Sequence, residues 1–82
     1  MSSVTVYLRP GCHLCEQALA ELRPLLAEFA ADLQTIDIER DDDLHRRYLE
    51  RIPVIALDGH ELYDFHLDGG DLRRRLAAAG TE

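Results

Sequence analysis

Cys12 and Cys15, separated by His13 and Leu14, are the residues of this 82-residue chain best suited to chemistry. Two cysteines spaced this way close a small disulfide or share a metal ion, and the flanking sequence decides between these uses. Residues 4–8 (Val-Thr-Val-Tyr-Leu) read as a strand, Arg9-Pro10-Gly11 as a turn, and the stretch from Leu14 onward as a helix. Cys12 is thereby expected at a helix N-terminus, where unpaired backbone N–H groups and the helix dipole favour a thiolate. A dithiol in that setting is usually a redox centre. A free thiol with a pKa of about 8.5 is only a few per cent ionised at neutral pH, and a shift to about 7 makes roughly half of it reactive. The helix terminus supplies part of that shift, Arg9 another part, and His13 more when protonated.

Composition bounds the setting. Eighty-two residues suffice for one small domain, expected to span residues 1–82, and 46% hydrophobic with 30% charged residues reads as globular. A formal net charge of −7 argues against a nucleic-acid partner, which would require a basic face. All nine cations are arginine, a compositional bias more than a chemical feature. No apolar run approaches the roughly 18 residues that a membrane span needs. The start, Met-Ser-Ser-Val-Thr-Val, has neither the basic nor the apolar segment of a signal peptide. These features predict a cytoplasmic protein with no membrane association. In that reducing setting a CxxC is more often catalytic or metal-binding than structural.

The elements that position the cysteines follow from periodicity. After the first strand, Cys15, Ala18, Leu19, Leu22, Leu25, Leu26, Phe29 and Leu33 recur at the three-and-four spacing of a buried helical stripe. Pro24 interrupts it and predicts a kink between Leu19 and Arg23, or two consecutive helices. Residues 33–38 alternate as a second strand. Asp41, Asp42 and Asp43 cap a short helix reaching about residue 50, with Leu44 and Tyr48 inward. Residues 52–57 form a strand opened by proline, and Asp58-Gly59 turns it into residues 60–65. Gly69-Gly70-Asp71 caps a last helix from Leu72 to Ala79, with Leu72 and Leu76 inward, and Gly80 stops it. Tyr7, Tyr48 and Phe65 read as core residues, and Tyr63 as a residue able to line a groove. The order is β-α-β-α-β-β-α. It predicts an α/β domain with a four-stranded mixed sheet, helices on both faces, and the cysteines at the C-terminal edge of the first strand.

This arrangement resembles the thioredoxin fold and, within it, the glutaredoxins. The resemblance covers nearly the whole chain. It rests on strand-Arg9-Pro10-Gly11-Cys12-His13-Leu14-Cys15-helix, on Ile52-Pro53-Val54 opening the third strand, and on Gly-Gly-Asp before the last helix. Residues 8–15 are particularly similar to a bacterial family of short glutaredoxin-like proteins that share the Cys-His-Leu-Cys motif. The resemblance implies that Cys12 is the exposed nucleophile and Cys15 the resolving thiol. It implies that Pro53 is a cis-proline beside the dithiol and that the backbone of Ile52 pairs with bound substrate. Arg9 matches a lysine that binds a glutathione carboxylate, and Gly70 and Asp71 fall near the loop that holds the other carboxylate. The chain departs from the glutaredoxin pattern by carrying His13-Leu14 for Pro-Tyr, Arg51 for a threonine, and a glycine pair displaced by about two residues.

The expected function is thus thiol–disulfide exchange of glutaredoxin type by a monomer with no tightly bound cofactor. Its partners would be disulfide-containing or glutathionylated proteins, with glutathione or a flavoprotein reductase as electron donor. Cys12 is expected to ionise more readily than Cys15. Two other classes compete. One is a metal or iron–sulfur carrier using the same cysteines, for which His13, His45, His60 and His66 offer neither HxxxH nor a second CxxC. The other is a thioredoxin-fold binding module. Arg51 reads either as a substrate contact or as a solvated helix-end residue, and Arg73-Arg74-Arg75 as a solvent face.

Overall fold

Alternation in the first strand decides the layering of the molecule. In the computed structural model, which describes residues 2–79, strand β1 (Ser3–Leu8) buries Val4 and Val6 completely on one face. Tyr7 faces the other way. Helix α1 (His13–Glu28) crosses over to strand β2 (Asp32–Asp37), which pairs parallel with β1. A short 3-10 turn (Ile38–Arg40) leads into helix α2 (Asp42–Tyr48), then strands β3 (Val54–Leu57) and β4 (His60–Asp64), and helix α3 (Gly69–Ala79). The four strands lie in the order β2-β1-β3-β4, with β3 antiparallel to both β1 and β4. The expected element order and mixed sheet are present.

Each face of the sheet carries its own apolar cluster. Ala18, Leu22, Leu25 and Leu26 of α1 and Leu72 and Leu76 of α3 close over Val4, Val6 and Ile55. On the opposite face, Ile38, Tyr48 and Val54 pack with Tyr7, Leu44, Leu49 and Ile52. Burial at these positions removes apolar surface from water, at about 25 cal/mol per Å2. Turn chemistry sets the hairpin register. Asp58 and Gly59 both have positive φ (49° and 90°), as a two-residue turn matched to the strand twist requires. Asp58 also ties the turn to β1, accepting from the Ser3 N–H at 2.8 Å and donating its own N–H to the Ser3 carbonyl at 2.9 Å.

Several boundaries differ from the sequence expectation. Pro24 sits inside one continuous α1, because a proline removes a single backbone donor while Leu22, Leu25 and Leu26 on either side remain anchored. The helix ends at Glu28, so Leu33 belongs to β2. Helix α2 stops at Tyr48 rather than at residue 50, and β3 begins only at Val54, after the donor-less Pro53. Gly69, Gly70 and Asp71 do not cap α3. Asp68 does, with its Oδ1 accepting from the Asp71 N–H at 3.0 Å and its carbonyl from the Leu72 N–H at 3.0 Å. Phe65 is not in the core, since 45% of it is exposed. The expected stop at Gly80 lies outside the described residues.

Asp41 is the N-cap of α2 as expected, accepting from Asp43 N–H at 2.9 Å and Leu44 N–H at 3.3 Å. Leu22 is fully buried at the centre of the larger cluster. Leu22→Ala is expected to destabilise the fold by about 2–5 kcal/mol, through lost transfer energy plus a cavity, read as a lower midpoint in denaturant unfolding.

Candidate active site

The turn leaving β1 delivers Cys12 to the start of α1. Gly11 has φ +77°, a conformation any side chain would make strained, and the Cys12 N–H closes the turn onto the Arg9 carbonyl at 3.4 Å. Cys12 is the N-cap residue, with extended backbone, and its Sγ accepts from the Cys15 N–H at 3.2 Å. Its carbonyl accepts the first helical bond, from Glu16 at 3.1 Å. The two cysteines form a disulfide across one helical turn, with their Cα atoms 5.2 Å apart. They differ in access. Cys12 is half-buried, whereas Cys15 is 2% exposed and faces the core. Arg9 and His13 are both exposed beside Cys12, and among the described residues the Arg9 side chain enters no ion pair.

Sheet register brings a second segment to the same edge. Tyr7 pairs with Val54 and Leu8 with Asp37, so the residues preceding β3 lie beside the strand end that feeds Cys12. The Ile52–Pro53 bond is cis, and Pro53 is buried. The carbonyls flanking Ile52 are occupied: Phe65 N–H is shared between Pro53 O at 2.9 Å and Arg51 O at 3.3 Å. Ile52's own N–H and C=O enter no hydrogen bond among the described residues.

Gly70 and Asp71 lie in the first turn of α3, at the end of the loop that follows β4. The Asp71 carboxylate is engaged within the protein, taking the Tyr63 hydroxyl at 2.6 Å and Arg75 Nε at 2.8 Å, with Arg74 at 3.8 Å. Arg75 first, and then Tyr63, hold Asp71 below the usual carboxylate range. Burial first, and then the Asp71 anion, push Tyr63 up to about 12. Tyr63 is thus a structural partner of Asp71 at the edge of the larger core cluster. Of the three consecutive arginines, Arg73 crosses to Glu28 of α1 at 2.7 Å, so this face also joins two helices.

Sequence reasoning missed a charge cluster around Arg51. Its guanidinium bonds Glu61 at 2.6 Å and Asp64 at 3.0 Å, both on β4, and lies over the Tyr48 ring at 5.3 Å. Tyr48 donates its hydroxyl to Glu61 at 2.6 Å and stacks on Tyr7 with centroids 4.4 Å apart. The Tyr48 bond, followed by Arg51, lowers the Glu61 carboxyl below its ordinary range. Two acids three residues apart on a regular strand fall on opposite faces, so the sequence carries no signal for this pairing. It depends on a register shift between Ile55 and Ala56 that leaves Leu62 unpaired.

The glutaredoxin-like domain (DUF836) matches residues 3–77. The chain belongs to that family. An uncharacterised protein of Mycobacterium tuberculosis is 30% identical over 79 residues, covering 90% of this chain and 81% of that protein. The solution structure of a Nitrosomonas europaea protein superposes with a TM-score of 0.78 at 34% identity, covering 90% of this chain and 89% of that one. A thioredoxin from Halobacterium salinarum matches at a TM-score of 0.70 and 17% identity over 99% of this chain and 76% of its own, a likeness of fold alone. The fold is the thioredoxin fold.

In this glutaredoxin-like domain the unequal burial of the two sulfurs sets their accessibility, and the helix start sets their electrostatics. No group of three or more His, Cys, Asp or Glu side chains suited to a metal ion occurs among the described residues, and no helix there is long and apolar enough to cross a membrane. The Tyr63–Asp71 pair has a definite pH signature. A phenol raised in the fold contributes stability fully present below its ordinary pKa of about 10 and lost as pH rises through 12. The lowered Asp71 contributes stability present above the ordinary carboxylate range and lost as pH falls through its depressed value. Asp71→Asn is expected to move the Tyr63 ionisation down toward the ordinary tyrosine value while burial keeps part of the shift. Ultraviolet phenolate titration, read against Tyr63→Phe, checks this.

Proposed function

We propose that this protein is a thiol–disulfide oxidoreductase of glutaredoxin type, with Cys12 as nucleophile and Cys15 as resolving thiol. The observation that carries this reading is an N-capping, half-buried Cys12 bonded to a buried Cys15 one turn along the same helix. In the reduced protein the Cys12 thiolate attacks one sulfur of a substrate disulfide. A Cys12–substrate bond forms, the substrate S–S bond breaks, and the second substrate sulfur leaves as a thiolate that takes up a proton. Cys15, deprotonated, then attacks Cys12 Sγ. The intramolecular disulfide forms, the first substrate sulfur is released as a thiol, and two electrons and two protons have passed to the substrate.

The same features support each step. A helix N-terminus stabilises Cys12 as attacking and as leaving thiolate, so no separate base is needed. The free backbone N–H and C=O of Ile52 suit strand-like pairing with an extended substrate segment, which would hold its sulfur in line with Cys12. Arg9, three residues upstream, adds positive charge near the sulfur. Glutathione or a flavoprotein reductase restores the dithiol, and the protein works as a cytoplasmic monomer on disulfide-containing or glutathionylated proteins.

Cys12→Ser is expected to reduce turnover of a protein disulfide to the uncatalysed level. Cys15→Ser is expected to accumulate a covalent Cys12–substrate adduct visible by mass spectrometry. In the reduced wild type, Cys12 should be alkylated before Cys15. A protein in which Cys15 alkylates first, or in which Cys12→Ser retains full activity, defeats the assignment. Supplying glutathione or a flavoprotein reductase in separate assays identifies the donor.

A further inference from the structure

Phe65 is the one large hydrophobic side chain left exposed among the described residues, at 45%, and its backbone lies at φ +67°. That region crowds Cβ against the following carbonyl and is normally given to Gly, Asn or Asp, so a bulky aromatic there opposes local preference. Neither core packing nor turn chemistry accounts for the ring. Its position is well determined, however. The Phe65 N–H is held by the carbonyls of Arg51 and Pro53, the residues on either side of Ile52. The residue also lines a recess of about 50 Å3 with Leu14, which lies between the two cysteines, and with Leu67, Gln17, Glu21 and His66.

We propose that Phe65 is a docking shelf for a protein substrate whose disulfide cysteine is followed by an aliphatic or aromatic side chain. This rests on the reading of Cys12 and Cys15 as a redox dithiol. An extended segment pairing with Ile52 projects side chains alternately to its two sides. The recess that Phe65 shares with Leu14 sets the aromatic residue beside the dithiol, within reach of a side chain next to the substrate cysteine. Backbone outliers that packing does not require cluster at ligand-contacting positions.

The test uses full-length protein, reduced and freed of reductant, in single-turnover reactions with two peptide disulfides. The peptides are identical except for leucine or serine after the cysteine. Wild type is expected to reduce the leucine peptide about 10-fold faster, the effect of covering part of one apolar side chain. Phe65→Asn, which tolerates positive φ without the ring, is expected to bring that ratio close to one. Phe65→Leu is expected to give a ratio between the two, and it carries the test should Phe65→Asn fail to fold. Equal wild-type rates on the two peptides, or a preference that survives loss of the ring, overturn the shelf and leave the dithiol reading standing. A wild-type protein inert toward both peptides and toward a small disulfide without side chains overturns the dithiol reading as well.

Discussion

The start of α1 is the constraint on which the site depends. A helix begins with backbone N–H groups that have no partner inside it, and here a sulfur atom supplies one. The interaction orients Cys12 across the helix end. It also ties the chemistry of the site to the integrity of α1, because a frayed first turn would release both the cap and the electrostatic field. The fold protects that turn from two directions. Upstream, β1 is an interior strand paired on both sides, so the turn through Gly11 leaves a rigid edge. Downstream, Cys15 and Ala18 are already buried against the core.

A second set of contacts aligns the neighbouring segment. Arg51 spans the gap from the α2–β3 loop to Glu61 and Asp64 on β4, and Tyr48 and Tyr7 extend the cluster back to β1. Partly exposed ion pairs add little stability, on the order of 0–1 kcal/mol each. Their value here is geometric. They bracket Ile52 between α2, the end of β4 and the central strand, so its unpaired backbone keeps one orientation. The Tyr63–Asp71–Arg75 group does comparable work for α3, coupling its first turn to β4.

Most of the element order was legible because its signals are local. Alternation in β1, the apolar stripe of α1, the Asp41 cap and the Asp58-Gly59 turn each lie within a few residues of what they specify. Errors arose where local signals compete. Gly69-Gly70-Asp71 has the composition of a cap, yet Asp68 one residue earlier offers both a side-chain oxygen and a carbonyl at the right spacing. Phe65 has the hydrophobicity of a core residue, but backbone bonds to Arg51 and Pro53 turn it outward.

Sequence alone determined that a dithiol lies at the mouth of a helix, since strand, turn, cap and stripe follow one another without interruption from Ser3 to Leu26. It also determined the asymmetry of the pair, because a spacing of three on an amphipathic helix sends Cys15 toward the apolar stripe and leaves Cys12 at the tip. Only the tertiary structure decided what stands opposite the sulfur. Phe65 reaches that edge, next to the expected Ile52 and Pro53, through the register of β3 against β1 and of β4 against β3, including a shift at Ile55/Ala56. A one-residue slip of β3 against β1 would turn those side chains to the other face, and no turn joins those two strands to specify their register.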